Sequence, residues 1–251
     1  MPLTIATWNV NGIRARQAEV QAFLEGERPD VLCLQELKAA PEQLPVWLVD
    51  IEGYWTRWHG GKGYSGVALL VRRSVTADPP VFAHPAFDFE HRIVTAELPA
   101  ATVASVYVPN GGKDFDAKLR FLEGLAVMAA AHASQGRPLV LCGDLNVAHR
   151  DIDVHARELK PGAMGQRDDE RALFDAVLTH GLVDVQRTLH PDEPDIYTWW
   201  PPGRQMRQRN IGWRIDYVLA STSFAASARS CVAHREVGTS DHGPVVATFE
   251  V

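Results

Sequence analysis

Leu139-Val140-Leu141-Cys142-Gly143-Asp144-Leu145-Asn146 joins a short apolar run to two polar side chains placed two residues apart. A continuous run of this kind, closed by glycine, reads as a strand buried within a sheet. Gly143 permits a tight turn after it, and Asp144 and Asn146 then face the same way. The pattern recurs in Thr7-Trp8-Asn9-Val10-Asn11-Gly12, Leu34-Gln35-Glu36, Trp213-Arg214-Ile215-Asp216-Tyr217 and Ser240-Asp241-His242-Gly243-Pro244. Strand ends are where α/β folds place their chemistry, because the sheet holds the polar groups while loops leave them open. Asp, Glu and Asn with one His make up a ligand and proton-transfer set for a hard cation such as Mg²⁺ acting on a phosphate ester.

Working outward, further strand-like runs cover Leu3 to Trp8, Val31 to Gln35, Gly66 to Val71, Ile93 to Leu98, Val103 to Val108, Ile215 to Leu219 and Val245 to Phe249. Thr95-Ala96-Glu97-Leu98 alternates with period two, which suits antiparallel pairing with one covered face. Asp116 to Ala133 carries Leu119, Leu122, Leu125, Ala126 and Met128 as one apolar helical stripe. Asp168 to His180 repeats the pattern, with Asp168 capping its start and Gly181 its end; a shorter helix covers Ala15 to Leu24. Strand runs outnumber helices and spread over the whole length, so the expected α/β architecture is two stacked sheets with helices outside. A single doubly wound sheet is the second choice. No repeat or flexible linker interrupts residues 1–251, which we read as a single catalytic domain.

The 251 residues are 46% hydrophobic and 22% charged, ordinary for a chain with a real core. Cys33, Cys142 and Cys231 are widely spaced and form no CxxC pair. That argues against a disulfide framework and fits a reducing compartment. With no signal-like N-terminus and no membrane-span window, the expectation is a soluble, cytoplasmic protein and no membrane partner. The net charge of −6 weighs against a nucleic-acid partner, but steering depends on where charge lies. Arg204, Arg207, Arg209 and Arg214, and again Arg14 and Arg16, restore local basicity beside two of the motifs, although a solvated face explains such clusters too.

Each motif has a bland reading beside the chemical one. Asp144 can orient and deprotonate a water while Asn146 donates to a phosphoryl oxygen, yet Asx-rich turns are common. His242 needs an acceptor to fix its tautomer, and Asp216 is the candidate; a turn histidine stiffened by Pro244 is the alternative. Glu36 at the end of a buried strand demands a cation, with Asn9 and Asp241 as companion ligands; a salt bridge to Lys38 would also serve. Tyr107, before Pro109-Asn110-Gly111, can bond a phosphate oxygen or merely pack. Trp199, Trp200 and Trp213 can wall a pocket or stack on bases, and for Trp200 core packing is preferred.

Taken together and in this order, Trp-Asn-Val-Asn-Gly-Ile-Arg-Ala, Leu-Gln-Glu, Tyr-Val-Pro-Asn-Gly, Gly-Asp-Leu-Asn-Val-Ala, Gly-Trp-Arg-Ile-Asp-Tyr and Ser-Asp-His-Gly-Pro-Val resemble the exonuclease III family of DNA repair nucleases, within the endonuclease/exonuclease/phosphatase superfamily. The resemblance spans Thr4 to Val251. It implies a four-layer α/β/β/α sandwich, two stacked mixed sheets with helices on the outside, and Mg²⁺-dependent (or Mn²⁺-dependent) cleavage of double-stranded DNA, especially abasic or 3′-blocked, by a monomer. It implies Glu36 as principal metal ligand with Asn9 and Asp241 close by, Asp144 activating water, and Asn146 and Tyr107 on phosphate. Asp216 and His242 become the dyad, and Asp144, Asn146 and His242 the ligands of any second ion. Trp199, Trp213 and Ile215 match a pocket for a flipped-out abasic sugar, and Asn110 a substrate contact. Three departures stand out: Asn11 where some relatives carry Asp, a shorter 111–115 loop, and an altered 155–167 segment in which Met164 and Gln166 reshape the opening of the next helix. The alternatives are a superfamily phosphodiesterase acting on a phospholipid or inositol phosphate, and a DNA-binding relative that has lost the reaction.

Overall fold

In the computed structural model, which describes residues 2–250, the chain forms two six-stranded sheets packed face to face. Its strands are β1 (Pro2–Asn9), β2 (Val31–Gln35), β3 (Tyr54–Gly61), β4 (Tyr64–Arg72), β5 (Val81–Ala83), β6 (Ile93–Glu97), β7 (Thr102–Tyr107), β8 (Leu139–Asp144), β9 (Leu182–Asp184), β10 (Asp216–Ser221), β11 (Ala228–Ala233) and β12 (Val245–Glu250). One sheet runs β11-β12-β1-β2-β4-β3 and the other β5-β6-β7-β8-β10-β9. Both are mixed, with a central parallel pair (β1 with β2, β7 with β8) inside otherwise antiparallel neighbours. The eight strand runs read from the sequence are the interior strands of the two sheets, and the four edge strands β3, β5, β9 and β11 were not anticipated.

Adjacent residues of one strand serve different layers, which is why the interior strands read as continuous apolar runs. Ile5, Val31, Cys33, Val140 and Cys142 fill the space between the sheets, with Leu69, Val218 and Ala247. Ala6, Trp8, Leu32 and Leu34 face outward against Ile13, Val20, Phe23 and Leu24 of α1 (Ile13–Glu27). On the other side Leu139 and Leu141 pack against Phe121, Leu122 and Leu125 of α3 (Phe115–Ser134) and Phe174 and Val177 of α4 (Asp168–Thr179). The result is the α/β/β/α order. The one-face reading of Thr95 to Leu98 is corrected: Val94 and Ala96 enter the inter-sheet core while Ile93 joins the outer one, and Glu97 is exposed because its strand ends there. Short helices α2 (Val46–Val49), α5 (Val185–Leu189) and α6 (Thr222–Ala225) fill connections.

Two local readings also change. Gly143 lies inside β8 rather than in a turn, and a Cβ there would meet Val106 O at 1.8 Å, so close approach of β7 is what demands glycine. The start of α4 is capped by the Glu170 carboxylate, which accepts from Arg167 N at 3.1 Å and Gly165 N at 2.7 Å, with Asp168 already inside the helix. Gly181 follows α4 at φ +82°, where its N–H reaches Leu178 O at 3.0 Å.

Candidate active site

Strand register does most of the assembly. Antiparallel β8 and β10 set Asp144 opposite Asp216, and parallel β7 and β8 set Tyr107 beside Asp144. In the other sheet β1 and β2 pair Asn9 with Gln35, so Glu36 emerges next to Asn9. The two groups meet where the sheet edges face each other. Asn9 Nδ2 donates to Glu36 Oε1 at 3.0 Å and, across the sheets, to Asp144 Oδ2 at 2.8 Å. Tyr107 donates its hydroxyl to Glu36 Oε1 at 2.9 Å. Asn9 therefore turns its nitrogen toward the carboxylates, and its amide oxygen accepts the Asn11 N–H at 3.0 Å.

Residues 197–200 act as a clip that delivers His242. Gly243 N donates to Thr198 O at 2.8 Å, Trp200 N to Asp241 O at 3.0 Å, and Trp199 and Trp213 exchange backbone bonds of 2.9 and 2.8 Å. Thr198 Oγ1 accepts the N–H groups of Ile215 and Asp216 and donates to Asp216 Oδ2 at 2.6 Å. That oxygen also bonds His242 Nδ1 at 2.8 Å, leaving Nε2 of the ring 3.8 Å from Asp144 Oδ2. Ser240 Oγ donates to Asn9 O at 2.7 Å and accepts from His242 N at 3.2 Å, while Trp8 Nε1 donates to His242 O at 3.2 Å.

The electrostatics follow from crowding carboxylates in a buried place. Burial pushes the Asp144 carboxyl up to about 8, helped by Asp216 and Glu36 and resisted by His242 and the Asn9 bond. For His242 burial disfavours the imidazolium, but Asp216, Asp144 and Asp241 outweigh it and raise the ring to about 10. Glu36 and Asp241 stay below the usual carboxylate range: burial opposes this, but Lys38 and Asn9 hold Glu36 ionised, and His242, Asn11 and Trp199 hold Asp241. Tyr107 is held well above the ordinary phenol value by burial and the two carboxylates, so it acts as a neutral donor.

Ligand atoms of Glu36, Asp144 and His242 lie within 4.8 Å of one another. Asp241 is not part of that trio; its Oδ1 accepts from Asn11 Nδ2 at 2.7 Å and its Oδ2 from Trp199 Nε1 at 3.1 Å. Asn146 donates from its backbone to Asp144 Oδ1 and from its side chain to Val108 O, both at 2.9 Å. Two close carboxylates, Asp144 buried and Glu36 half-buried, with Asp216 Oδ1 lacking any hydrogen-bond partner, form a donor set that suits a divalent cation. Lys38 Nζ lies 2.7 Å from Glu36 Oε2, so the salt bridge weighed as the alternative for Glu36 is present at the rim of the same site.

Around this chemistry a cleft of about 350 Å³ is lined by Glu36, Tyr107, Asn110, Asp144, Asn146, Trp199, Trp213, Ile215, Asp241 and His242, with Met164 and Gly165 added. Trp200 is 1% exposed and does not line it. Gly165 is required there, because a Cβ would reach Trp213 at 2.9 Å. Gln166 turns away to hold Lys160 N and Glu158 O, while Met164 stays at the cleft. The expected basic stretch splits. Arg214 is fully buried between Asp153 (2.8 Å) and Asp184 (2.7 Å), and Arg207 ties down the carbonyls of Arg235, Val237 and Ser240, leaving Arg204 and Arg209 exposed. The supporting roles of Lys118, Thr198 and Ser240 were missed. Lys118, fully buried against Glu170, donates to Asn146 O at 2.7 Å.

Comparison with known proteins identifies the family. The model of the Endonuclease/Exonuclease/phosphatase family matches residues 6–242. An exodeoxyribonuclease of Bacillus subtilis is 35% identical over 248 residues, covering 97% of this chain and 98% of that protein. A 3′ phosphatase from Neisseria bound to a product DNA hairpin superposes with TM-score 0.90 at 32% identity, covering 99% of this chain and 100% of that one. An AP endonuclease from Archaeoglobus fulgidus gives TM-score 0.88 at 32% identity with the same coverage. With the fold, the strand-end carboxylates and these likenesses in agreement, the chain belongs to the endonuclease/exonuclease/phosphatase family and, within it, to the nucleases of the exonuclease III type.

Proposed function

We propose that this nuclease is a Mg²⁺-dependent DNA repair enzyme that hydrolyses phosphodiesters of double-stranded DNA at abasic sites and at blocked or recessed 3′ ends. The observation that carries the reading is the convergence of Glu36, Asp144 and the Asp216–His242 pair, from both sheets, on one cleft walled by Trp199, Trp213 and Ile215. Relatives named as an exodeoxyribonuclease, a 3′ phosphatase bound to product DNA and an AP endonuclease support the substrate class.

Glu36 and Asp144 would hold the cation, Mg²⁺ by their all-oxygen character or Mn²⁺ in its place, with Asn9 Nδ2 positioning both, Asp241 held at the same cleft by Asn11 and Trp199, and Asn146 and His242 beside a second ion. Bound there, the cation supplies positive charge that lowers the Asp144 carboxyl and offsets charge building on the phosphoryl oxygens. Asp144, once ionised, orients a water and accepts its proton as the water oxygen bonds to phosphorus and the P–O3′ bond breaks. Asn146 N and Asn9 Nδ2 fix the two carboxylate oxygens for that task. His242 stays cationic through Asp216 and presents Nε2–H to a phosphoryl oxygen, aided by the second N–H of Asn146; the Tyr107 hydroxyl would join them by turning its one proton from Glu36 Oε1 to the phosphate. Trp199, Trp213 and Ile215 line the cleft together with Asn110 and would wall a base-free sugar there. One catalytic domain acting as a monomer suffices for this geometry, and three buried free cysteines support a reducing, cytoplasmic setting. Among the described residues no helix is long and apolar enough to cross a membrane.

The test is a comparison of initial rates on three duplexes, bearing an internal abasic site, a 3′-phosphate or an undamaged recessed 3′ end, with Mg²⁺ and with EDTA. Cleavage that depends on the cation and on His242 supports the reading; equal rates in EDTA, or DNA binding without hydrolysis, would overturn it.

A further inference from the structure

A second cluster of ligating side chains lies outside the cleft, on β3 and the connection from β5 to β6. His59 Nε2 is 2.6 Å from Asp88 Oδ2, and the His59 and His84 rings stack at 3.8 Å. One nitrogen from each ring and one Asp88 oxygen lie within 4.8 Å of one another. His91 meets His59 edge-on at 4.7 Å. All three members of the trio are half-buried, and none lines the catalytic cleft.

The outer contacts of these groups already set their inner atoms. His84 Nδ1 bonds Ile93 O at 3.1 Å; a carbonyl only accepts, so Nδ1 carries the proton and Nε2 keeps its lone pair. Asp88 Oδ1 accepts from Arg92 N at 2.8 Å and Ile93 N at 3.2 Å, which aims Oδ2 at His59. Backbone contacts that fix the outward atom of a histidine and of a carboxylate are the usual support of a metal site. The phosphodiester chemistry uses none of these residues.

We propose that His59, His84 and Asp88 bind a first-row transition cation, best matched by Zn²⁺, with a water completing four-fold coordination. Two imidazole nitrogens and one carboxylate oxygen are a zinc donor set, whereas the oxygen-rich cleft suits Mg²⁺, so ligand chemistry sorts the two ions. The cation ties β3 to the loop that carries Arg92. Arg92 in turn donates to Tyr107 O at 3.4 Å and lies over the Tyr107 ring at 4.8 Å, so the tie braces the floor beneath the phenol.

The full chain, stripped with EDTA, is titrated with Zn²⁺ by calorimetry and followed by thermal melting. A Glu36→Gln/Asp144→Asn background silences the catalytic cleft. We expect that background to retain one zinc per chain and to melt roughly 5 °C higher at saturating zinc. His84→Gln or His59→Gln added to it should weaken the affinity at least about thirty-fold. X-ray absorption of the zinc-loaded cleft variant should show two imidazoles around the metal, a readout that stands even where a histidine variant folds poorly. Failure of the cleft variant to take up zinc at tens of micromolar, undiminished uptake after His84→Gln, or an all-oxygen shell would each overturn the proposal.

Discussion

Two buried charge clusters sit on either side of the 213–216 segment, and they are built to opposite rules. Asp153, Asp184, Arg187 and Arg214 pair two carboxylates with two guanidiniums: Asp153 takes Arg187 at 2.6 Å and Arg214 at 2.8 Å, and Asp184 takes Arg214 at 2.7 Å. Glu36, Asp144 and Asp216 instead set three carboxylates around one imidazole, with Lys38 only at the half-exposed rim. The balanced cluster holds Asp153 below the usual carboxylate range, the guanidiniums of Arg214 and Arg187 prevailing over burial. The unbalanced one raises Asp144 to about 8. Matched charge builds scaffold, and mismatched charge makes a place for an ion and a reacting phosphate.

Breaking the unbalanced cluster should cost activity and spare the fold. Asp144→Asn is expected to lower single-turnover cleavage of duplex DNA by about 10³-fold or more, with a Tm in EDTA at neutral pH close to that of the parent, because without the cation the Asp144 carboxyl is already mostly protonated there. Breaking the balanced cluster should do the reverse. Asp153→Ala removes the carboxylate that both guanidiniums share, leaving Arg214 with Asp184 and Arg187 with only the carbonyls of His190 and Glu193, and should destabilise the chain by about 3–5 kcal/mol, read as a Tm roughly 10 °C lower, with much of the cleavage rate per folded molecule retained. Thr198→Val sharpens the contrast, since Thr198 touches only the unbalanced side. Loss of its bond to Asp216 should lower kcat about ten-fold and move the alkaline limb of the pH–rate profile, while KM changes little.

The contrast extends to stability against pH. In EDTA, Asp144 and His242 both have folded values above their unfolded ones, so both contribute stability at low pH and lose it as pH rises. The Asp144 share fades between about 4 and 8 and the His242 share between about 6.5 and 10. Urea midpoints measured from pH 6 to 10 should therefore fall, and His242→Gln should flatten the upper half of that decline; an unchanged slope would remove the imidazolium from the account.

The same contrast explains what the sequence could and could not disclose. The interior strands were legible because both faces are buried, which leaves unbroken runs such as Val31 to Leu34. Edge strands were not, because β3 mixes Arg57 and His59 with tryptophans and β11 alternates without a core-facing run. Asp144, Asp216, Glu36 and His242 stood out because each adjoins an apolar run, Glu36 standing just after β2, Asp144 closing β8, Asp216 opening β10 and His242 standing just before β12. Thr198, Ser240 and Lys118 carry no such local mark, since their meaning lies in contacts such as Ser240 to Asn9, 231 positions apart. Arg214 misled for a related reason: beside Arg204 to Arg209 it reads as surface charge, and only the fold brings Asp153 and Asp184 around it.

The most direct test is a Mg²⁺ titration of cleavage on an abasic duplex, run in parallel on the parent and on Glu36→Gln. The unbalanced cluster predicts no turnover in EDTA, saturable activation by the ion, and a half-activating concentration at least about ten-fold higher in the variant. Turnover that persists in EDTA, or identical activation curves for the two proteins, would contradict it.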